Sequence, residues 1–361
     1  MTLILGKTII NHLQIDKRRT VMKLLDRLPS LKGKEKDEIV DLLLHEEYGY
    51  FPNVDISIDV TVESKNLRFC AGKAVLEKLA FHCKSELGEH TFHVSYIYPS
   101  DKKNSPAFVH INFGPETPHE YQPTEEVVDN GYAILSIFYK DVSSDDGDFT
   151  NGIAGLLYKN GERGDTDCGK IGIWAWAASR VFDYALTRDE VDHTRVSVIG
   201  HSRLGKTALL AGMLDERFYC AFSNDSGCSG AAIARETGGE TIEAICRVFP
   251  FWFCKNYYKY ANNEETMPFD QHFLIAANYP HKVYAASALE DEWAYPENEY
   301  LGCVAASEFY TARGRKGFIT DDEHPELRKR YNDGDIGYHL RPGKHYLGRE
   351  DWQRYIEFLN F

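Results

Sequence analysis

The sequence has no excess of basic residues, and it has no apolar run long enough to span a membrane. Its 41 lysines and arginines stand against 55 aspartates and glutamates, which gives a net charge of −14. An acidic chain with no basic block is poorly suited to holding nucleic acid or an anionic membrane surface. A spanning helix needs about 18 or more consecutive apolar residues, and no run approaches that length. We therefore expect neither a nucleic-acid partner nor a membrane partner.

The chain also has no C-x-x-C pair, although it contains eight cysteines. They are scattered, and several lie in apolar runs, as Cys220 does in FYCAFSN. This pattern favours buried free thiols over a zinc site or a disulfide framework. The first 20 residues lack the leading positive region and the small-residue cleavage site of a secretion signal. These two absences together predict a cytoplasmic protein.

What the sequence does have is a change of pattern near residue 100. Residues 17–48 look helical, and residues 54–98 alternate between apolar and polar side chains, which predicts antiparallel strands. Short apolar runs then alternate with helical patterns, which predicts a parallel sheet with helices on both faces. The strands predicted in this second part are 107–114, 132–139, 195–200, 218–224 and 282–289, and the helices are 169–186, 204–215 and 351–361. We predict one α/β domain over residues 1–361, with a helical N-terminal segment (1–50) and a core (51–361) whose mostly parallel central sheet carries an antiparallel N-terminal extension.

The most informative segment is RVSVIGHSRLGKTALL, residues 195–210, in which a β-branched strand runs directly into a helix. Ser202 at the junction is predicted to stand on a tight strand-to-helix turn, where its hydroxyl faces the positive end of the helix. Gly200 and Gly205 leave room for this turn, although their spacing differs from the common G-x-S-x-G pattern. The alternative is that the serine only caps the helix.

The residues around Ser202 favour a catalytic role for this serine over helix capping. Three of them are potential cations: His201, Arg203 and Lys206. Cations at a helix start oppose the helix dipole, so stability does not explain them. We interpret the group as one that stabilises an anion beside Ser202.

A nucleophilic serine needs a base, and the base needs an acid that orients it. In α/β-hydrolases the acid and then the histidine follow the serine along the chain. The C-terminal segment offers His339 and His345, and we favour His345 because it would lie in the loop after the last strand. The acid is Asp225 or Asp291, each of which comes just past a predicted strand. The residues alone leave this choice open.

Six motifs occur in an order that is more specific than the serine turn alone. They are GHSRLGK, SNDSGCSGAA, GGET, FPFWF, PFDQH and SALEDEWAYPENEY. On these motifs the chain resembles carbohydrate esterase family 15, the glucuronoyl esterases, over roughly residues 105–358. The resemblance implies an α/β-hydrolase fold, a three-layer sandwich, with no metal and no cofactor. It also implies cleavage of the ester between the 4-O-methyl-glucuronate of xylan and an alcohol.

The resemblance implies a role for each matching residue. Ser202 matches the nucleophile, and Arg203 matches an arginine that supports the oxyanion with its backbone N–H and its guanidinium. Three residues match positions that contact the sugar: Lys206, Glu240 and Trp293. Asp225 lies where many members carry a glutamate, which is one methylene longer. This difference shifts our preference toward Asp291, which lies where bacterial members carry an acid after a later strand.

We therefore predict a serine carbohydrate esterase that acts on a small-molecule or oligosaccharide ester of glucuronic acid. His345 takes the proton of Ser202, and Arg203 and backbone N–H groups, including one from the loop HINFG (110–114), hold the oxyanion. An acetyl (xylan) esterase is one alternative, but it would place the sugar on the leaving-group side. A catalytically silent carbohydrate-binding relative is the other, and it is favoured if neither histidine can approach Ser202.

Overall fold

The fold is built on a mixed ten-stranded β-sheet in the computed structural model, which describes residues 24–360. The strands are β1 (Ser57–Phe69), β2 (Ala74–Ser85), β3 (Gly88–Pro99), β4 (Ser105–Asn112), β5 (Ala133–Phe138), β6 (Val191–His201), β7 (Cys220–Asn224), β8 (Lys282–Ala288), β9 (Arg330–Tyr331) and β10 (Ile336–Arg341). Their order across the sheet is β1-β2-β3-β5-β4-β6-β7-β8-β10-β9. Strands β1 to β3 are antiparallel and join β5, whereas β5, β4, β6, β7, β8 and β10 are parallel. The predicted parallel sheet with an antiparallel N-terminal extension is confirmed.

Helices cover both faces of the sheet, because the central strands are buried on both sides. Along β4, Ala107 and Val109 belong to one core and Phe108 to the other, since successive side chains of a strand point to opposite faces. The α-helices that lie wholly within the described residues are α1 (Lys36–Leu43), α2 (Thr124–Asp129), α3 (Tyr139–Val142), α4 (Gly152–Leu157), α5 (Lys170–Ala185), α6 (Arg203–Leu214), α7 (Ile242–Val248), α8 (His272–Ala276), α9 (Pro296–Thr311) and α10 (Arg349–Leu359). Helices α5, α6 and α9 pack on the first face, and α2 and α10 pack on the second. None of the helices in this part of the chain combines the length and the apolar character needed to cross a bilayer.

The N-terminal region is less helical than the sequence predicts. Helix α1 spans only eight residues and continues into a π-helical turn at Leu44–Tyr48. Before it, the chain is non-helical around Pro29 and turns at Gly33, which has a φ of +75°. Proline restricts the residue before it, and glycine is the residue that takes a left-handed conformation without strain, so the helical pattern is broken there. Residues 17–23 of the predicted helix lie outside the described residues.

Helix α9 is the longest of the helices that were not predicted from the sequence. Its polar residues Asn298 and Glu299 are as deeply buried as its apolar ones. A helix that is buried without a separate polar face shows no amphipathic pattern by which periodicity could reveal it.

The order of strands β4, β5 and β6 locates the functional edge of the sheet. The chain moves from β4 to β5 on one side, and then crosses back to place β6 on the other side of β4. In open α/β sheets, ligands bind at the carboxyl ends of the strands beside such a reversal. Ser202 follows β6 directly, so the predicted nucleophile lies at this position.

The π-helical turn carries a fully buried acid, Glu47, whose carboxylate oxygens lie 3.2 and 3.3 Å from the amide nitrogen of Gln271. Burial, reinforced by the nearby charge of Asp270, raises the pKa of Glu47 to about 8. Because the pKa of Glu47 is higher in the folded than in the unfolded chain, Glu47 adds to the free energy of unfolding while it is protonated. This contribution is complete below the unfolded value of 4.5 and is lost as the pH rises toward 8. The amide oxygen of Gln271 is buried and has no partner among the described residues.

We therefore expect Glu47→Gln to raise the melting temperature at about pH 9 and to leave it nearly unchanged at about pH 5, because glutamine cannot ionise. Thermal unfolding across this pH range measures the effect. The neighbouring Glu46→Gln is the control. Burial raises the pKa of Glu46, but its contacts with Lys259 and Tyr260 outweigh burial, so that the pKa is lowered. Its removal should lower the melting temperature at both pH values, and an identical response of the two variants would contradict the prediction.

Candidate active site

Ser202 occupies a strained turn between β6 and α6. Its φ is +58° and its ψ is −128°, in a region that residues with a side chain rarely adopt. The backbone N–H donates to the carbonyl of Asn224 at 2.8 Å, and the side chain makes no capping hydrogen bond. A Cβ on Gly200 would overlap the carbonyl of Leu204. These features are those of a nucleophile turn rather than of a helix cap.

His345 and Asp291 form a hydrogen-bonded pair. The Nδ1 of His345 lies 2.5 Å from Oδ2 of Asp291. Asp291 follows β8 and is buried, whereas the side chain of His345 lies in the loop after β10 and is 42% exposed. Burial raises the pKa of Asp291, but the hydrogen bond and charge of His345 outweigh it, and the pKa lies below its ordinary value. Asp291 is therefore ionised while His345 acts as a base.

Asp225, the other candidate acid, has different partners. Its Oδ1 accepts the N–H of Ala288 at 2.6 Å, and its Oδ2 accepts a hydrogen bond from Arg341 at 3.1 Å. Burial, together with the like charge of Glu299, raises the pKa of Asp225 well above its usual range. This carboxyl is near His345, but its hydrogen bonds are committed elsewhere. The geometry therefore favours Asp291 as the orienting acid.

His339, the other candidate base, is a buried residue of β10. Its Nε2 lies 2.9 Å from Oδ1 of Asp351, and its Nδ1 lies 3.1 Å from the hydroxyl of Tyr284. Both ring nitrogens of His339 therefore have hydrogen-bond partners on the face of the sheet that α2 and α10 cover. The preference for His345 agrees with this placement.

His201 is not the cation that the sequence analysis assumed. It is buried, its Nδ1 lies 2.6 Å from the side-chain amide of Asn224, and its ring is 4.4 Å from that of His345 between centroids. Burial, and then the charge of His345, lowers the pKa of His201 to about 3. The expectation of three cations around Ser202 is therefore wrong for His201, because a neutral imidazole packs there. The contact between the two rings also places His345 beside the residue that precedes Ser202.

Arg203 is held against the turn by residues that the sequence analysis did not identify. Its guanidinium forms an ion pair with Asp145 and lies 4.7 Å from the centroid of the Trp252 ring. The indole N–H of Trp252 donates to the same carboxylate at 2.8 Å, and the hydroxyl of Tyr139 donates to it at 2.9 Å. The Nε of Arg203 is buried and has no partner among the described residues. The arginine is thus fixed in place, and its buried Nε is left without an acceptor.

In the loop 110–114, which is predicted to supply an oxyanion donor, one backbone N–H already has a partner. The N–H of Phe113 donates to the side chain of Asn112 at 2.8 Å, so it is not available to an oxyanion. The N–H of Arg203, at the first position of α6, is among those that a helix leaves without an internal partner. Of these two backbone donors, the second is the free one.

The three predicted sugar-contacting residues form one hydrogen-bonded group. Lys206 lies one helical turn after Ser202, and its ammonium donates to the carbonyl of Ser226 and lies 3.5 Å from Oε2 of Glu240. The indole N–H of Trp293 donates to Oε1 of Glu240 at 3.2 Å. Trp293 is 59% exposed and so does not belong to the core. The group joins a cation and a carboxylate, both nearly buried, to an exposed indole.

One set of side chains in the described part of the chain has the proximity of a metal site. Asp225, Asp291 and His345 each place one ligand atom within 4.8 Å of the others. The hydrogen bonds given above already account for all three side chains. The arrangement is explained without an ion.

Comparison with known proteins places these residues in a family. The family described as "Glucuronyl esterase, fungi" matches residues 82–314. The protein "Carbohydrate esterase MZ0003", from an unknown prokaryotic organism, is 33% identical over 367 residues, which cover 91% of this chain and 84% of that protein. A 4-O-methyl-glucuronoyl methylesterase of Podospora anserina is 25% identical over 74% of this chain, and the match spans only 53% of that relative's length.

Solved structures agree with the sequence matches. The glucuronoyl esterase from Solibacter usitatus is 31% identical, with a TM-score of 0.84 over 92% of this chain and 97% of that one. A promiscuous CE15 esterase from a marine bacterial metagenome is also 31% identical, with a TM-score of 0.82 over 92% of this chain and 95% of that one. The chain belongs to carbohydrate esterase family 15, the glucuronoyl esterases, and is a carboxylic ester hydrolase with the α/β-hydrolase fold.

Proposed function

We propose that the protein hydrolyses esters of glucuronic acid on xylan-derived saccharides through an acyl-enzyme on Ser202. The observation that carries this proposal is the strained Ser202 turn beside the pair of His345 and Asp291. The order of these three residues along the chain is that of α/β-hydrolases. The sugar belongs to the acyl part of the ester, because Lys206 lies one helical turn from the nucleophile and Glu240 contacts Lys206.

In the proposed mechanism, His345 is the general base. Its Nδ1–H donates to Asp291, which leaves Nε2 to take the proton of the Ser202 hydroxyl. The serine oxygen attacks the ester carbonyl, and the tetrahedral oxyanion receives hydrogen bonds from the backbone N–H and the guanidinium of Arg203. One such donor is typically worth ~3 kcal/mol of barrier. The protonated histidine then gives its proton to the leaving alcohol, and water activated by the same histidine releases the glucuronate.

Arg203 suits this role because its position is set before substrate arrives. The contacts with Asp145 and Trp252 hold the guanidinium, so little reorganisation is needed when charge develops on the oxygen. The Arg203 side chain keeps 24% of its surface exposed, so part of it stays open to a substrate.

The test of the proposed function compares two ester types with the wild-type protein. A benzyl ester of glucuronic acid carries the sugar on the acyl side, and an acetylated xylo-oligosaccharide carries it on the alcohol side. We expect turnover of the glucuronate ester and little acetate release. Acetate release alone would favour the acetyl (xylan) esterase, and no turnover of either ester would favour a silent carbohydrate-binding relative.

Trp293→Ala should raise KM for the glucuronate ester about tenfold, or ~1.4 kcal/mol of binding, because it removes an exposed aromatic face from the sugar site. Steady-state kinetics with p-nitrophenyl acetate, which has no sugar, should show no change in kcat/KM. The control is Leu289→Ala, which removes another exposed apolar side chain just after β8. A rise in KM that is equal in both variants would contradict a sugar contact at Trp293.

We also propose that the protein works in the cytoplasm on imported oligosaccharides. All eight cysteines lie in the described residues, and each is a free thiol. Disulfides are rare in reducing compartments, so free thiols suit this location. Fractionation of the native cells, with an antibody against this chain, tests the location.

A further inference from the structure

Two residues that the proposed triad does not use, His339 and Asp225, belong to one buried polar cluster behind the loop of the catalytic histidine. The cluster also contains Arg341 and Asp351, and all four side chains are buried. We propose that Arg341 is a positioning residue, which holds the loop 342–347 so that His345 meets Ser202 and Asp291. This inference rests on the proposed function, since it assumes that His345 is the base.

Arg341 uses all three nitrogens of its guanidinium on partners around this loop. Its Nε lies 2.9 Å from each carboxylate oxygen of Asp351, and one terminal nitrogen lies 3.1 Å from Oδ2 of Asp225. The other terminal nitrogen lies 3.2 Å from the carbonyls of Pro342 and Lys344. The nitrogen that reaches Asp225 also donates to the carbonyl of Tyr346. The planar fork of donors is what allows one side chain to serve so many acceptors.

Two of the three loop carbonyls among these partners belong to the residues on each side of His345. Lys344 precedes the histidine and Tyr346 follows it, so a fixed guanidinium holds the backbone at both ends of that residue. The His345 side chain itself is 42% exposed, and its contacts with Asp291 and with the ring of His201 are kept only while the loop backbone stays in place. A misplacement of about 1 Å in a catalytic group can cost ~100-fold in rate, so an exposed base needs such an anchor.

The acids that bind Arg341 are themselves fixed. Asp351, in the first turn of α10, accepts the N–H of Gly348 at 2.7 Å and also contacts His339. Asp225 accepts the N–H of Ala288, at the end of β8. Arg341 therefore ties the histidine loop to a helix and to two strands of the sheet. This arrangement gives His339 and Asp225 a function that neither has as base or orienting acid.

Arg341→Lys tests the inference, because lysine keeps the charge but cannot span the two acids and the three carbonyls. With the methyl ester of glucuronic acid, well below the melting temperature, we expect kcat to fall about 10- to 100-fold while KM stays within about twofold. The control is Arg235→Lys. Arg235 is also buried, and its guanidinium contacts Asp270 and the carbonyls of Phe269 and Met267. None of these partners is next to the catalytic histidine in the chain. The Arg235→Lys variant should lose similar stability and keep kcat within about twofold.

A purely structural role of Arg341 predicts a different result. Both variants would then lose melting temperature and both would keep kcat, and this outcome would overturn the inference. If Arg341→Lys does not fold, Asp351→Asn decides: the positioning role predicts a three- to tenfold fall in kcat at constant KM, and an unchanged kcat would contradict it.

Labelling with a fluorophosphonate separates this inference from the proposed function. The probe reacts with an activated serine whatever the natural ester is. Slow labelling of Arg341→Lys beside fast labelling of the wild type supports the positioning role. Equal labelling rates contradict it. If the wild type itself neither takes the label nor hydrolyses the ester, the proposed function fails, and the positioning role fails with it.

Discussion

Ser202→Ala is expected to lower kcat for a glucuronate ester by about 10⁴-fold or more, because no group remains to form the acyl-enzyme. The fold should remain intact, since the hydroxyl makes no capping hydrogen bond and the backbone N–H that donates to Asn224 is kept. The measurement is steady-state hydrolysis of the benzyl ester of glucuronic acid, with thermal unfolding recorded on the same samples. A mass increase of the wild type by one acyl group, absent in the variant, would identify the covalent intermediate.

Ser100→Ala provides the matched control for this experiment. Ser100 is an exposed turn serine whose hydroxyl donates to the carbonyl of Gly72 at 2.7 Å, and it belongs to no functional group described above. Its loss should leave kcat unchanged. Full activity of Ser202→Ala would show that the serine turn is not the catalytic element, whatever the substrate proves to be.

Asp291→Asn should have the second largest effect, a fall in kcat of about 10³- to 10⁴-fold. An asparagine amide can donate to Nδ1 of His345, which favours the tautomer whose Nε2 carries the proton and cannot act as base. It also cannot stabilise the imidazolium that forms in the transition state. Asp225→Asn is the matched comparison, because it removes the other candidate acid by the same change. Its partners are Arg341 and Ala288, so we expect a loss of less than about tenfold, or ~1.4 kcal/mol, together with a lower melting temperature.

The two variants distinguish three outcomes. A larger loss in Asp225→Asn than in Asp291→Asn would transfer the orienting role to Asp225, against the present hydrogen bonds. Losses below about tenfold in both would place the orienting acid at another residue. The pattern that we expect, with a large loss only in Asp291→Asn, agrees with the lowered pKa of Asp291 and the raised pKa of Asp225.

The serine turn could be predicted from the sequence because its requirements are local. A β-branched strand, a glycine at Gly200 and a helix start are adjacent in the chain, and the structure shows why a side chain at that glycine would collide with the helix. The parallel sheet could be predicted for the same reason, since each buried strand is a continuous apolar run. The position of His345 after the last strand followed from chain order alone.

The residues that fix the site could not be predicted in this way. Asp145 lies 58 positions before Arg203 in an acidic stretch typical of a solvated loop, and Arg341 lies 116 positions after Asp225. Residue types reveal a charge, but they do not reveal which distant charge it meets after folding. His201 shows that the charge of a residue itself depends on the fold. Its residue type suggested a cation, but its burial makes it neutral.

The turn between β8 and α9 carries both Asp291 and Trp293, two positions apart, and the N–H of Ala294 donates to Asp291 at 3.2 Å. In the proposed mechanism one of these residues orients the base and the other covers the sugar. A change in the length or conformation of this turn that adapts the site to a new saccharide would therefore also move Asp291. Directed evolution of substrate range should find its accepted changes in the segment that carries Glu240, and variants with altered length between β8 and α9 should be lost from active libraries.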